Sequence, residues 1–301
     1  MSLRIPTLKS LFVSVKLTFD AAVAAGSLVA LWRGAGEGWL GPLATTLPFL
    51  ALLGWAYGSR RVARTSAGLA WLSMLAVSGV LWSAAVPSGR GWPLRLAAVG
   101  LTADLVYLYW YSRLERRGAP LLAQGQLLPD FEAMDEAGAR FDSRSLLGRP
   151  AVLLFYRGNW CPFCVAQVSE LAASYRALEQ RGARVVLVSP QPAGHTRALA
   201  ERFGVPMRFL VDEGSRVARQ LGILHEGGLP AGLQLLGYHS DSVLPTAIVT
   251  DAAGRILLLD ATDNYRVRPE PATFLAALDT APAMSSTAVR SSVPPEAPTC
   301  V

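Results

Sequence analysis

Two cysteines separated by two residues, Cys161 and Cys164, are the side chains of this chain whose spacing is most suited to chemistry. They follow an apolar run at 151–156, which predicts a strand buried on both faces, and they precede a helical pattern. Two thiols so spaced can cycle between dithiol and disulfide, or supply half of a zinc site. A zinc site needs two further ligands, but the only other cysteine is Cys300 and the three histidines are scattered. The pair therefore indicates redox chemistry without a metal.

Pro162 assigns different roles to the two thiols. Proline fits the first position of a helix, where its missing N–H costs nothing. Cys161 is then the N-cap, and its sulfur should face free backbone N–H groups and the positive end of the helix dipole, which favour a thiolate. Cys164 lies one turn further along and should be more deeply buried. We expect Cys161 to attack and Cys164 to resolve; an inert pair of core cysteines is the alternative.

Residues 127–280 alternate between short strands and helices. Strands are predicted at 151–156, 184–189, 207–211, 247–250 and 256–260, and helices at 162–181, 194–203, 215–221 and 271–278. A hairpin turn is predicted at 135–138, a helical turn at 143–147, and an irregular, Gly-rich insertion at 222–243. This order predicts an α/β thioredoxin-like fold, in which helices flank a central mixed sheet.

Residues outside that domain differ in composition. Hydrophobic residues make up 51% of the chain and charged residues 17%, and the apolar excess lies within residues 1–112. Four runs in this part are each long enough to cross about 30 Å of hydrocarbon: 11–32, 39–57, 67–86 and 94–111. They predict an all-α membrane domain over 1–117, against the alternatives of a signal peptide for the first run and a buried soluble bundle for all four. Residues 118–126 are expected to be a linker, and the Pro/Ser-rich residues 281–301 a disordered tail.

Charged residues within and around the runs support this interpretation. Lys16 and Asp20 lie one turn apart in the first run, and Asp104 lies in the fourth, where we expect a buried contact with Lys16 or a tyrosine. The basic residues flanking the runs are unevenly distributed. One side would hold Arg4, Lys9, Arg60, Arg61, Arg64, Arg113, Arg116 and Arg117, and the other Arg33, Arg90 and Arg95. We expect a multi-pass protein of the cell inner membrane with the thiol domain in the cytoplasm. The net charge of +6 thus reflects membrane orientation, and no basic stripe indicates a nucleic-acid partner.

Residues 155–164, FYRGNWCPFC, resemble the redoxin, or AhpC/TSA (peroxiredoxin-like), family of the thioredoxin superfamily. Further stretches carry the resemblance: VVLVSP at 185–190, FLVD at 209–212 and DNYRVRPE at 263–270. It covers about residues 125–280. It implies the thioredoxin fold and an antioxidant thiol chemistry that needs no cofactor. The implied substrate is a peroxide or a protein disulfide, and the implied reductant is a thioredoxin-type electron donor.

Two positions depart from the family's pattern. Peroxiredoxins usually carry Thr or Ser three positions before the peroxidatic cysteine, where this chain has Gly158. They also usually carry an Arg before the strand that follows the insertion, where this chain has Pro245, next to Thr246. Pro245 resembles the cis-proline that faces the C-x-x-C of thioredoxin-like oxidoreductases; a trans-proline at a strand entry is the alternative. Arg157 could supply the missing guanidinium to a developing oxyanion, or be a solvated loop arginine.

The resulting hypothesis is a membrane-anchored thiol oxidoreductase that reduces peroxides or partner disulfides through Cys161 and Cys164, which Trp160 and Pro162 flank. The alternatives are a thioredoxin-like disulfide reductase without peroxidase activity, a redox sensor or assembly factor without turnover, and an electron-transfer accessory to a membrane quinone protein. Three other polar residues are expected to be surface or framework residues rather than chemical groups: His195, Tyr265 and Arg266.

Overall fold

The computed structural model describes residues 5–59, 63–114 and 121–280. Several sequence predictions lie outside the described residues: the sidedness of Arg4, Arg60, Arg61, Arg116 and Arg117, the linker at 118–120, and the tail with Cys300.

The first part of the chain is helical, with one helix at each predicted run: α1 (Ile5–Trp32), α2 (Leu40–Ser59), α3 (Ala70–Ala85) and α4 (Trp92–Val106), the last continuing into a π-helical turn at Tyr107–Tyr111. Two segments, Thr7–Trp32 and Glu37–Ser59, are long and apolar enough to cross a bilayer. Helix α3 is apolar but has 16 residues, and at 1.5 Å per residue it is about 24 Å long. The structure therefore confirms the four helices, and two of them as candidate spans.

These helices are apolar outside and carry charge inside. Large apolar side chains such as Trp32, Met74 and Leu81 are exposed. In the interior, the fully buried Lys16 Nζ lies 2.6 Å from Asp20 Oδ2 and 2.8 Å from Asp104 Oδ1. The expected contact between Asp104 and Lys16 is thus confirmed. The described helices thus combine exposed apolar side chains with a buried ion cluster.

The second part is an α/β unit around a seven-stranded mixed sheet in the order β2-β1-β5-β4-β3-β8-β9. Its strands are β1 (Glu132–Asp135), β2 (Arg140–Asp142), β3 (Ala151–Phe155), β4 (Arg184–Ser189), β5 (Arg208–Val211), β8 (Thr246–Thr250) and β9 (Ile256–Asp260). The helices are α5 (Pro162–Ala173), α6 (Tyr175–Gln180), α7 (Ala193–Ala200), α8 (Arg216–Gln220) and α9 (Pro271–Asp279). Strand β3 is central and fully buried, parallel to β4 and antiparallel to β8. This is the predicted thioredoxin-like fold.

Two local predictions differ from the structure. The helix predicted at 162–181 is divided, because Ser174 has non-helical angles (φ −93°, ψ 3°) and its carbonyl accepts from the N–H of Ala177 at the start of α6. Serine favours helix caps over helix interiors. The insertion at 222–243, predicted to be irregular, contains two short antiparallel strands, β6 (Leu224–His225) and β7 (Ser242–Val243). The chain between them forms turns.

The helical part and the α/β unit meet along a polar seam, in which residues 63–67 and 112–114 lie against residues 263–270. Arg266 lies at its centre and is fully buried. Its guanidinium donates to Thr65 Oγ1 at 2.7 Å, Ser66 O at 3.0 Å, Ala67 O at 2.7 Å and Ser112 Oγ at 3.0 Å. The framework role expected for Arg266 is therefore a specific one, because its side chain joins the two parts.

Further hydrogen bonds extend the seam. The N–H of Thr65 donates to Arg266 O at 2.9 Å, and the N–H of Leu114 donates to Asp263 O at 2.5 Å. Arg64 binds both carboxylate oxygens of Glu170 on α5 and donates from Nε to Arg268 O at 3.1 Å. The α/β unit is thereby held against the same end of the helices from which Arg64 and Leu114 extend.

We expect Arg266→Lys to weaken the seam, because an ammonium cannot reach four acceptors that a planar guanidinium serves. Each buried acceptor left without a donor costs about 1–3 kcal/mol. Thermal unfolding in detergent should show a lower midpoint, and hydrogen exchange should accelerate at 63–67 and 112–114. The exposed Arg140→Lys is the matched control and should leave both unchanged. Equal behaviour of the two variants would contradict the assigned role.

Candidate active site

The two cysteines lie where β3 gives way to α5, as predicted. Cys161 is the N-cap of α5, with extended angles (φ −96°, ψ 110°), and Pro162 is the first helical residue. The Cys161 carbonyl accepts from the N–H groups of Cys164 and Val165, both at 3.1 Å. The loop between Phe155 and Cys161 therefore connects the central strand to α5, and both thiols lie at the N-terminus of that helix.

Gly158 explains why this loop lacks the usual Thr or Ser. Its φ is +141°, and a Cβ built on it would lie 2.7 Å from Trp160 Nε1. An L-residue would be strained here in any rotamer, and the indole would have to move. The next residue, Asn159, is fixed by its N–H, which donates to Gln191 Oε1 at 2.8 Å. Gln191 is buried and was missed in the sequence, where nothing marked it.

Both thiols are buried, with 1% of Cys161 and 0% of Cys164 exposed, so the expected difference in burial is absent. Burial, followed by the hydrogen bond that the Cys161 thiol donates to Cys164, raises the pKa of Cys161 well above its ordinary value. Burial alone would also raise the pKa of Cys164, but the hydrogen bond from Cys161 and the charge of Arg268 lower it to about 5. The pKa of Cys164 is therefore lowered relative to that of Cys161.

These pKa directions differ from the expectation that the helix N-terminus favours a thiolate at Cys161, and the attacking role of Cys161 stays a prediction. The Cys161 side chain makes no capping hydrogen bond to α5. Arg268 places a positive charge beside Cys164, with Nη2 at 3.4 Å from Cys164 Sγ. Its remaining donors are fixed by Tyr265 O at 2.7 Å and Gln167 Oε1 at 3.1 Å. Arg268 was given no role from the sequence, although it lies within the 263–270 stretch that carried the resemblance.

Arg157 lies on the other side of Cys161, and it is not a solvated loop arginine, because only 4% of it is exposed. Its Nη2 donates to Gly228 O at 2.6 Å, and its guanidinium lies over the rings of Trp160 (4.6 Å) and Tyr265 (5.1 Å). Its Nε has no hydrogen-bond partner although it is buried. A buried donor without a partner is costly in an apolar setting and suits a ligand oxygen.

The other predicted supporting residues do different work. No cis peptide bond occurs in the described ranges, so Leu244–Pro245 is trans and the predicted likeness of Pro245 to a cis-proline is wrong. Thr246 begins β8 opposite Phe155, and its hydroxyl donates to Leu244 O at 2.9 Å. The local chain here enters a buried strand, which a trans-proline accommodates.

The helical part contributes directly to the site, which the sequence did not predict. A cavity of about 360 Å³ adjoins Cys161 and is walled by both parts of the chain. From the helices come Phe49, Tyr57 and Tyr111, among others. The Tyr57 hydroxyl donates to Trp160 O. A contact between residues 103 apart in sequence leaves no local signal, so spacing alone could not find it.

Two residues set aside in the sequence differ in importance. His195 stacks on Tyr238 at 4.4 Å and its Nε2 lies 3.1 Å from Leu236 O, so it remains a structural residue. Tyr265 lines the cavity, and its hydroxyl lies 2.6 Å from that of Tyr107 on the π-helical turn. Within the described ranges, no three His, Cys, Asp or Glu side chains cluster so as to hold a metal; that none is needed stays a prediction.

Comparison with known proteins places the site in a family context. Residues 124–258 match the model of the AhpC/TSA family. Two curated relatives are chloroplastic peroxiredoxin Q proteins. That of Triticum aestivum is 29% identical over 102 residues, 34% of this chain and 47% of the relative. That of Arabidopsis thaliana is 31% identical over 109 residues, 36% of this chain and 50% of the relative. The chain thus spans about half the length of the curated relatives it matches.

Among solved structures, the peroxidoxin BcpB of Mycobacterium tuberculosis is similar to this chain at 25% identity with a TM-score of 0.44. The match covers 56% of this chain and 99% of that one. The reduced Prx3 of Vibrio vulnificus in complex with hydrogen peroxide is 20% identical with a TM-score of 0.46, covering 52% of this chain and 99% of that one.

We expect Arg268→Gln to move the charge of the thiol pair. In the wild type, ultraviolet absorbance of the thiolate should rise through a midpoint near pH 5, because Arg268 favours the ionised form of Cys164. Removing an adjacent positive charge should shift the midpoint upward by about 1–3 pH units. Cys164→Ser identifies the signal, and the exposed Arg149→Gln is the matched control. A midpoint that stays in place in Arg268→Gln would disprove the pairing.

Proposed function

We propose, on the basis of the AhpC/TSA domain that residues 124–258 carry, that this protein is a thiol peroxidase: an oxidoreductase that reduces hydroperoxides with Cys161 and Cys164. One observation carries the proposal. Cys161 and Arg157 both line one cavity, and the Cys161 thiol is hydrogen-bonded to Cys164, whose pKa is lowered. A nucleophile and a guanidinium therefore border one space, and a base lies next to the nucleophile.

The proposed reaction begins with the proton of the hydrogen bond between Cys161 and Cys164. The Cys164 thiolate accepts the proton of the Cys161 thiol, which frees the Cys161 sulfur to attack the terminal oxygen of a hydroperoxide ROOH. The O–O bond breaks, Cys161 becomes a sulfenic acid, and the departing alkoxide takes the proton back from Cys164 to leave as ROH. The Cys164 thiolate then attacks the sulfenic sulfur, expels hydroxide and closes the disulfide. A thioredoxin-type donor supplies two electrons and two protons to restore the thiols.

We assign to Arg157 the role of the arginine that peroxiredoxins usually carry before the strand that follows the insertion, where this chain has Pro245. Negative charge develops on both peroxide oxygens as the O–O bond breaks, and a preorganised guanidinium in a dry site stabilises it. The guanidinium is held by Gly228 O and by the rings of Trp160 and Tyr265, so it need not reorganise during the reaction. In the absence of a Thr or Ser at position 158, the guanidinium of Arg157, which lines the cavity, is the donor that we assign to the peroxide.

The burial of Cys161 bears on the alternatives. A disulfide reductase must present its sulfur to a folded protein, and here 1% of Cys161 is exposed. The trans geometry of Leu244–Pro245 also removes the feature that suggested partner binding. A small hydroperoxide fits the cavity without any such surface, so the peroxidase is favoured over the reductase. A sensor without turnover or a quinone-protein accessory would retain the cysteines but show no catalytic consumption of peroxide.

We also propose that residues 1–117 are a membrane domain with four spans and residues 127–280 the redox domain, on the cytoplasmic face of a cell inner membrane. The support is that Lys9, Arg64 and Arg113 lie at the seam end of the helices: Lys9 Nζ donates to Arg113 O at 2.6 Å, and Arg64 binds Glu170. The sequence predicts eight basic residues on this side of the membrane and three, Arg33, Arg90 and Arg95, on the other. Positively charged flanks remain on the cytoplasmic side.

The roles of the thiols predict distinct variants. Cys161→Ser should abolish peroxide consumption, because it removes the nucleophile. Cys164→Ser should slow the first oxidation, because it removes the base, and should allow no turnover, so that a sulfenic acid remains on Cys161. Stopped-flow measurement of the reduced full chain with hydrogen peroxide, followed by dimedone labelling and mass spectrometry, tests both. Oxidation no faster than that of free cysteine would refute the peroxidase, and a sulfenic acid on Cys164 would reverse the roles.

Membrane placement predicts the behaviour of reporter fusions. Alkaline phosphatase fused at the C-terminus should be inactive and green fluorescent protein fused there should be fluorescent, because both report a cytoplasmic end. A phosphatase fusion after Arg90, between α3 and α4, should be active. An active C-terminal phosphatase would place the redox domain outside the cell, and release of the chain by carbonate washing would eliminate the membrane domain.

A further inference from the structure

The interior of the helical part contains a cluster of ionisable side chains that the proposed reaction does not use. Lys16 and Asp20 of α1 lie together with Asp104 of α4, and at most 2% of each is exposed. The bounds of α2 and α3 include no Asp, Glu, Lys, Arg or His, so these neighbouring helices bring no further charge to the cluster. The cluster therefore consists of one base and two acids.

The other ionisable groups of the same helices are engaged elsewhere. Lys9 and Arg95 lie about two turns or more along the axes of α1 and α4 from the cluster. Lys9 Nζ donates to Arg113 O at 2.6 Å. Tyr107, one turn after Asp104, has its hydroxyl 2.6 Å from that of Tyr265. The charges of the cluster thus have to be balanced within it.

Lys16 is held as an ammonium ion by three contacts. Its Nζ donates to Asp20 Oδ2 at 2.6 Å, lies 2.8 Å from Asp104 Oδ1, and lies 4.1 Å from the centre of the Phe49 ring. An ammonium has three N–H donors and no acceptor, and the face of an aromatic ring attracts a cation. All three contacts favour the charged form of Lys16.

One ammonium cannot balance two carboxylates. If Asp20 and Asp104 were both ionised, the cluster would carry a single net negative charge away from water. A buried charge that lacks a partner is so costly that the group is neutralised instead. For a carboxylate, neutralisation means that it takes up a proton.

The oxygens of Asp104 point to the same ligand independently of the charge balance. Neither of them receives a hydrogen bond from a described residue, although both are buried, and Oδ1 of Asp20 has none either. Asp20 differs because its Oδ2 accepts from Lys16. A carboxylate is an acceptor only, whereas a carboxylic acid carries an O–H of its own. The lack of donors around Asp104 therefore favours its protonated form.

We infer that Asp104 binds a proton at neutral pH and shares it with Asp20, so that the cluster is a proton-binding site inside the helical part. Lys16 and the ionised carboxylate then form a neutral ion pair. Loss of the proton would leave an unpaired charge between α1 and α4, so the packing of these helices depends on its presence. A metal cation is a poorer occupant, because a hard cation takes about six oxygen ligands and would lie beside the Lys16 ammonium. The site would exist whether or not the thiols reduce peroxides.

Infrared spectra of the full chain in detergent at neutral pH test this site, because the C=O stretch of a carboxylic acid is separate from the bands of carboxylates. Asp104→Asn and Asp20→Asn should each remove the signal of one carboxylic acid, since either change leaves Lys16 with one carboxylate in a neutral ion pair. Lys16→Met should add the signal of one more acid, because neither carboxylate then has a cation. The exposed Asp279→Asn is the matched control and should leave the signal unchanged.

The possible results decide both the site and its ligand. A carboxylic acid signal that is the same in the wild type and in Asp104→Asn overturns the site. A signal that is lost in Asp104→Asn but kept in Asp20→Asn overturns the sharing between the two side chains. A signal that is present in potassium salt and lost in sodium salt identifies a metal cation as the ligand and overturns the proton. If Lys16→Met does not fold, the two aspartate variants decide, since each retains a neutral ion pair.

Discussion

A thiolate that is shielded from water needs a cation beside it, and residues from both parts of the chain provide and position that cation. An unpaired charge in the protein interior costs several kcal/mol. Arg268 provides the pairing at 3.4 Å from Cys164 Sγ, and Arg157 adds a second positive charge on the cavity side. Arg268 is in turn positioned from outside the α/β unit, because its carbonyl accepts from Nε of Arg64 in the loop after α2. The charge state of the thiols thus depends on residues from both parts of the chain.

One short stretch, 263–270, links the two halves of the molecule. Within it, Arg266 faces the helices and holds the seam, and Arg268, two residues later, faces the thiols. Tyr265, just before them, completes the cavity wall and bonds the hydroxyl of Tyr107. A displacement of the helices would therefore move Arg268 relative to the Cys164 sulfur, because only one residue of backbone separates Arg266 from Arg268. The α/β unit, whose residues 124–258 match the AhpC/TSA family model, is here joined by a second set of elements.

The sequence predicted what is locally encoded. Strand β3 and helix α5 follow from a buried apolar run and from Pro162, and each of the four apolar runs became a helix, because these signals lie within a few residues of what they specify. The lowered pKa of Cys164 was not predicted, since Arg268 is 104 residues from Cys164 and its contact with the thiol is set by tertiary packing. The trans isomer of the Leu244–Pro245 bond and the contact of Tyr57 with Trp160 were not predicted, because tertiary packing sets both of them too. Gly158 was recognised as a departure, but its cause, a φ of +141° beside the Trp160 ring, is visible in three dimensions alone.

The buried cluster of Lys16, Asp20 and Asp104 fixes the positions of α1 and α4 relative to each other along their axes. A shift of α4 against α1 by one residue moves the carboxylate about 1.5 Å along the axis, and a shift of one turn about 5.4 Å, which separates it from the ammonium in an apolar interior. The register of α1 is fixed accordingly, with Lys16 also lying 4.1 Å from the centre of the Phe49 ring. Since Phe49 and the neighbouring Leu17 both border the cavity, the same three side chains also set the position of the cavity wall relative to the reactive sulfur.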